Sequence, residues 1–449
     1  MTGYSVEFLG CKVSHTDAQA IEDALASAGH VFDDAGAVQV VNACCITSVA
    51  ERSSRQRVAR RLAAGDAVSH VFVTGCGAAN APEQYTSIDP RVRVLPGAAA
   101  LASRAIVEAA DALSGLACRG PVAGIAPGHE PDLGGATAAH AGAQRPRVRT
   151  RAFVKVQDGC DFHCSYCIVP IVRGGPVSRS TELILDEVGR RVAAGQREVV
   201  LTGVNLGSWR DDVSRIRLDR LLTSVADVDG VARVRISSIE PNHVDRRLVE
   251  VLATHPRVCP HLHVPLQSGD DAVLQAMGRH YDIRRYMRTI AAARDRLPGL
   301  NLTTDIIVGH PDEDDASFEQ TLRVARELGF TKVHAFPFSA RPGTRDAERA
   351  PVDPAVVAER SRRLRAQADE LAIDHRSARV GEPDELLFEA ARSGGYTRDY
   401  HPVRLVDAAG DPIDAGHPGA PANGTLLPVR LVGIDVVSGR FDAIASRHE

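Results

Sequence analysis

Apolar positions near the start of the chain switch between two spacings. Short β-branched runs predict strands over Tyr4–Leu9, Val38–Asn42, Val71–Thr74 and Val92–Leu95. Apolar residues three and four apart predict helices over Thr16–Ala28, which Gly29 closes, then over Ser48–Ala64 and Ala99–Leu113. A βαβα rhythm of this kind folds as a doubly wound parallel sheet, so residues 1–113 are expected to form one α/β domain. Ser114–Thr150 has no apolar period and is rich in Gly, Ala and Pro, which predicts a flexible linker over 114–150.

Alternation resumes at Ala152. Strands are expected at Ala152–Val156, Glu198–Leu201, Arg233–Ser237, His261–Val264, Leu302–Val308 and Lys332–Phe336. Helices fall between them, such as Glu182–Ala194, Asp282–Arg296 and Ala316–Leu328. So few βα units fall short of the ~250 residues of a closed eightfold barrel, and an open, partial (β/α)6 barrel is the expected form. A long charged helix, Pro354–Arg379, ends this second domain, spanning 151–380. Short strands and turns over 381–449 predict a small all-β barrel.

Composition narrows the setting. The chain has 449 residues, 44% of them hydrophobic, with no apolar stretch near the ~18 residues of a membrane span. MTGYSVEFLG lacks the basic head and apolar run of a signal peptide, so a cytoplasmic location is expected. Thiols stay reduced there, and the nine cysteines are expected as metal ligands or small hydrophobes, not a disulfide framework. A net charge of −4 announces no nucleic-acid binder. The terminal barrel is acidic, with six Arg against eleven Asp or Glu after Arg379. Only three lysines occur, Lys12, Lys155 and Lys332, and two of them lie close before or after a cysteine. Keeping a compact point charge in an arginine-biased chain hints at a local requirement.

Six of the cysteines form two triplets. Cys160, Cys164 and Cys167 make a compact C-x3-C-x2-C run just past a predicted strand. Cys11, Cys44 and Cys76 are dispersed, yet each follows the end of a predicted strand by one or two residues. Loops converge on the carboxyl edge of an open α/β sheet, so these three are expected to meet. Three thiolates on a four-iron cubane leave one iron open to a small molecule. The competing possibility, a zinc knuckle with His163 as fourth ligand, normally calls for a second cysteine pair downstream, and none follows. Cys45, Cys118 and Cys259 are expected as small hydrophobes or a linker thiol, and His243, His255, His261, His263 and His280 show no metal-spaced pair.

The segments LGCKV, NACCITSVAERSSR, VTGCGAA, QDGCDFHCSYCIVPIVRG, LTGVNLGSW, RISSIEP, HLHVPLQSGDDAVLQAMGRHY, TDIIVGHPDE and SARPGT together resemble the radical-SAM methylthiotransferase family across nearly the whole chain. The resemblance implies an N-terminal cluster-binding domain, a radical-SAM core and a C-terminal TRAM barrel. It also implies two 4Fe-4S clusters and S-adenosylmethionine, and it selects Cys44 over Cys45 by matching Asn42–Thr47 to a family motif N-T-C-x-V-T. LGCKV and that segment resemble the branch acting on N6-threonylcarbamoyladenosine 37 of tRNA. The isopentenyladenosine and ribosomal-protein S12 branches carry GCQMN-like and GCPKN-like segments there. Departures from the pattern are Ser14 for Asn, Ala43 for Thr and HPDE for FPGE.

Implied partners are a tRNA anticodon loop, S-adenosylmethionine, a low-potential electron donor and a sulfur source. Strand-end residues Gly203, Asn205, Ser237, Glu240, Gln267, Ser268 and Asp305, with Tyr166 in the cysteine loop, are the expected cofactor contacts. Expected phosphate contacts are Arg52, Arg55, Arg57, Arg60 and Arg61 beside Cys44, and Arg147, Arg149, Arg151, Arg173 and Arg179 flanking the core cysteines. A metal-stabilised RNA-binding module without catalysis is the non-enzymatic alternative.

Overall fold

The computed structural model describes residues 1–63, 67–97, 99–115, 150–435 and 438–446. Most of the expected linker, with Cys118, Arg147 and Arg149, lies outside the described residues.

The amino-terminal part runs β1 (Gly3–Phe8), α1 (Lys12–Ser27), β2 (Val31–Phe32), β3 (Val38–Asn42), α2 (Ser48–Leu62), β4 (His70–Thr74), α3 (Gly75–Asn80), α4 (Glu83–Thr86), β5 (Val92–Val94) and α5 (Ala99–Leu113). Its strands pair in parallel in the order β2-β1-β3-β4-β5. Ile21, Leu25, Ala102 and Ile106 of α1 and α5 pack on one face, while Val58 and Tyr85 of α2 and α4 cover the other. Burial on both faces explains the Val-rich strands. α1 begins at Lys12, earlier than the expected Thr16, because its first turns are buried against a second layer as well as their own sheet.

That second layer comprises β6 (Arg151–Asp158), α6 (Val169–Arg173), β7 (Val177–Ser178), α7 (Thr181–Ala193), β8 (Glu198–Gly203), α8 (Leu218–Ala226) and β9 (Arg233–Ile236). It continues through α9 (Arg246–Thr254), β10 (His261–His263), α10 (Asp271–Ala276), α11 (Ile283–Arg296), β11 (Asn301–Val308), α12 (Asp315–Leu328), β12 (Lys332–Pro337) and α13 (Pro354–Ser377). Strands β6, β8 and β9 pair in parallel, as do β10, β11 and β12, with isolated bridges such as Ser238 to His263 between the two sets. The result is a partial, six-stranded parallel barrel. Alternation sorts its side chains: Val154, Leu201, Val234, Leu262 and Leu302 face the helices. Their neighbours Lys155, Thr202, Arg235, His263 and Thr303 line a polar lumen.

A closed antiparallel-rich barrel follows, in the order β13 (Pro383–Glu389), β14 (Gly394–Thr397), β15 (Pro402–Leu405), β17 (Arg440–Ala445) and β16 (Leu426–Asp435). Its Tyr400 seals the lower end of the lumen, stacked under Arg235 at 4.3 Å and beside His261 at 5.0 Å. Among the described residues, no helix is long and apolar enough to cross a membrane.

Candidate active site: two facing cysteine triplets

Cys11 precedes the first residue of α1, Cys44 lies two residues past β3, and Cys76 sits in the first turn of α3. β1 ends at Phe8, so Cys11 stands three residues beyond its strand instead of one or two. All three thiols share the carboxyl edge of the sheet and lie within electrostatic reach of one another. Gly75 holds φ +78°, and a Cβ there would meet the Asn42 side chain at 2.1 Å, so only glycine lets Cys76 reach this edge. Burial pushes the Cys44 thiol up and the Cys76 thiol up to about 11, against the pull of the Arg173 guanidinium. Cys45 turns away, its thiol donating to the Cys76 carbonyl at 3.3 Å inside an apolar cluster with Ile168.

The second triplet follows β6. Gly159, at φ +68°, brings the chain so close to Gly175 that a Cβ would lie 2.0 Å from its carbonyl oxygen. The Cys160 amide donates to Gly174 O at 3.0 Å, and the Ser165 amide to Met277 O at 2.9 Å, which fixes the loop at both ends. The sulfurs accept from cations and amides: Phe162 N to Cys160 Sγ at 3.4 Å and Arg279 Nη1 to Cys164 Sγ at 3.3 Å. Burial pushes the Cys160 thiol up and the Cys167 thiol up to about 12. Donors aimed at sulfur, in a place where a free thiolate is disfavoured, suit thiolates whose charge a metal shares.

One arginine joins the two edges. Arg173 donates from Nε to Cys76 Sγ at 3.0 Å, from Nη2 to Asp17 at 2.9 Å and from Nη1 to Asp158 at 2.9 Å. Lys155 meets the same two carboxylates, Asp17 at 2.8 Å and Asp158 at 3.0 Å. Burial opposes ionisation of Asp158, yet Lys155 and Arg173 hold its carboxyl below the usual range. Asp17 lies on α1, and Asp158 directly precedes the Gly159–Cys160 turn, so this ring of charges sets how the triplets face. Arg341 to Glu51 at 2.8 Å and Ser48 N to Ser339 Oγ at 3.1 Å form a second strut, at the start of α2.

Among the expected cofactor contacts, Asn205 is buried with both side-chain polar atoms unpartnered, and the buried Ser237 hydroxyl is likewise unpartnered. Gly203 packs against Gln157, whose side chain accepts from Asn205 N at 2.7 Å. Glu240 pairs with Arg279, and Gln267 takes the left-handed backbone at φ +63° while bridging to β11. Tyr166 packs half-buried on Val273, Met277 and Ile307, and Asp305 faces the lumen. Ser268 does not join them: its hydroxyl is fully buried behind the strands, against Thr321.

The arginines divide. Arg52 and Arg60 are exposed, and Arg55 bonds Gln84 at 2.7 Å. Arg57 and Arg61 instead hold Glu7, which ties α2 to β1. Arg151 is buried between Glu389, Tyr400 and the Tyr396 ring, and Arg179 is held by Glu187 at 2.6 Å. These last four, with Arg173 in the interdomain ring, are engaged in ion pairs within the chain, several with partners far off in sequence, such as Glu7 for Arg61 and Glu389 for Arg151.

Two features carried little signal in the sequence: the histidines around Asp305, and Lys12, which only its rarity singled out. His263 Nε2 meets Asp305 Oδ2 at 3.2 Å, and His334 pairs in register beside Asp305. Burial pushes the His334 imidazole down to about 4. Among the described residues, only His263, Asp305 and His334 bring three such ligand atoms within 4.8 Å of one another. The second feature is Lys12, half-buried and turned into the lumen.

A parallel partial barrel with a three-cysteine loop after its first strand defines a radical S-adenosylmethionine enzyme. The family model described as Radical SAM superfamily matches residues 154–325, and that of Uncharacterized protein family UPF0004 matches residues 3–97. The chain belongs to the radical-SAM methylthiotransferase family. It is 33% identical over 86% of each chain to the Threonylcarbamoyladenosine tRNA methylthiotransferase MtaB of Thermotoga maritima. It is 31% identical to the tRNA-2-methylthio-N(6)-dimethylallyladenosine synthase of Novosphingobium aromaticivorans, over 98% of this chain and 97% of that one. The fold is shared with the radical S-adenosylmethionine methyltransferase TsrM of Kitasatospora setae, at TM-score 0.52 and 16% identity, over 73% of this chain and 74% of that one. The protein is an enzyme of this class, with S-adenosylmethionine and 4Fe-4S clusters as its cofactors.

Proposed function

We propose that the chain is a tRNA methylthiotransferase that places a methylthio group on C2 of N6-threonylcarbamoyladenosine at position 37, beside the anticodon. The observation that supports it most is the pair of cysteine triplets on facing sheet edges, tied through Arg173 to Cys76 and Asp158. When bound, two clusters and S-adenosylmethionine supply the sulfur, the methyl group and the radical chemistry. Cys11, Cys44 and Cys76 would hold one cluster, and Cys160, Cys164 and Cys167 the other. Asn205 and Ser237, whose buried polar atoms are unpartnered, would take the cofactor's polar groups. Arg173, Asp17, Asp158 and Lys155 keep the two sites in fixed register. The base must leave its stack to enter between them, which costs least in a loop.

Threonylcarbamoyladenosine tRNA methylthiotransferases 33% identical over 86–88% of the chain support this branch. The segments LGCKV and Asn42–Thr47 support threonylcarbamoyladenosine. Nucleoside mass spectrometry of tRNA from a strain lacking the gene tests this. The 2-methylthio form of threonylcarbamoyladenosine is expected to vanish while its precursor accumulates. Undiminished product contradicts the reading, and loss of methylthio-dimethylallyladenosine instead moves the enzyme to the other branch.

A further inference from the structure

We infer that Lys12 is the centre of a carboxylate-binding subsite in the core lumen, and that it takes the threonyl carboxylate of the substrate nucleoside. The inference rests on the threonylcarbamoyladenosine reading above.

Lys12 is the first residue of α1, where the helix dipole disfavours a cation, and no acidic residue in the first turn offsets it. Its side chain leaves its own sheet and enters the lumen, within electrostatic reach of Tyr400, Arg235, Arg151 and Asp305. The other cations there are each matched. Arg151 meets Glu389 at 3.0 Å, Arg235 meets Glu198 at 3.2 Å, and Lys155 meets Asp17 at 2.8 Å. Among the described residues, no carboxylate comes within ion-pair distance of Lys12, since Asp305 is joined to His263. A half-buried ammonium without a counter-ion is unfavourable until an anion completes it.

The threonylcarbamoyl group fits what the lumen offers. Its carboxylate suits Lys12, while its hydroxyl and ureido N–H suit Asp305, with His334 alongside. C6, which carries this substituent, and C2 flank the same ring nitrogen, so gripping one orients the other. Cys11 adjoins Lys12 in the chain, which couples the grip to the N-terminal cysteine site. A dimethylallyl group has no polar atom for Lys12, and burying it here would leave the ammonium without an anion.

The test uses reconstituted holoenzyme and anticodon stem-loops carrying threonylcarbamoyladenosine, its carboxyl methyl ester, or dimethylallyladenosine. Wild-type kcat/KM is expected to favour the acid over the ester by roughly 30-fold, the worth of one charge-assisted hydrogen bond. Lys12→Met should bring that ratio near one, and Lys12→Arg should keep most of it, both at wild-type iron content. A Lys12→Met enzyme that still prefers the acid overturns the subsite. So does a wild type that treats acid and ester alike, a comparison that needs no variant to fold. Wild-type product from the dimethylallyl stem-loop alone overturns the substrate reading itself, and the subsite with it.

Discussion

Arg173 shows how much one side chain can organise. It touches a proposed cluster sulfur and two carboxylates, with only 9% of its side chain exposed. Removing it leaves Asp17, at 8% exposure, facing Lys155 alone. Breaking a buried charge network this way costs about 3 kcal/mol. Arg173→Met is therefore expected to lower the thermal midpoint by several degrees and to lose iron from the N-terminal site first, measured by calorimetry and iron analysis. The cysteines themselves were legible in the sequence, because spacing after strands is a local signal. Arg173 was legible only as a charge near a cluster, because its partner Asp17 lies 156 residues away. His334 was silent for the same reason: its neighbours belong to other strands.

Helix α2 divides its arginines by face. Arg57 and Arg61 hold Glu7, whereas Arg52, at the Cys44 end of the helix, and Arg60, in its last turn, reach solvent. If those two contact tRNA phosphates, Arg52→Ala with Arg60→Ala should reduce the slope of log affinity against log salt by about 1.4, at ~0.7 per contact. Binding isotherms across a salt series check it, and an unchanged slope removes α2 from the RNA surface. Periodicity revealed that α2 exists but not which face is covered. Facing requires knowing that α2 lies over β3 and β4 with Glu7 of β1 within reach of its arginines. The start of α1 was hidden for a related reason: KVSHT looks polar, and only burial between two layers makes it helical.

Across the whole molecule, the barrel lumen is polar, and a set of imidazoles lies at its Tyr400 end and between α13 and the terminal barrel. His261, His375 and His401 are all pushed below their ordinary value, chiefly by burial. Unfolding frees them to protonate near pH 6.5, while the folded protein delays that step. Their stabilisation is thus complete above about pH 6.5 and is lost as pH falls towards the depressed folded values, at up to ~1.4 kcal/mol per pH unit for each. The thermal midpoint should drop between pH 7.5 and 5.5, and His401→Asn should shallow that drop. Equal slopes in both proteins would contradict it. The alternation of strands and helices made the sheets legible. The way their edges meet was not, because it depends on Arg173, Glu51 and Tyr400 finding partners across the layers.

What holds these scales together is the pairing of two iron sites across one cleft, and iron counting addresses it most directly. Anaerobically reconstituted wild type should carry about eight irons and eight sulfides per chain. Changing Cys11, Cys44 and Cys76 together to Ala should leave about four, and so should changing Cys160, Cys164 and Cys167. If the first triple variant kept its full complement, Cys11, Cys44 and Cys76 would hold no cluster, and there would be no second site for the first to face.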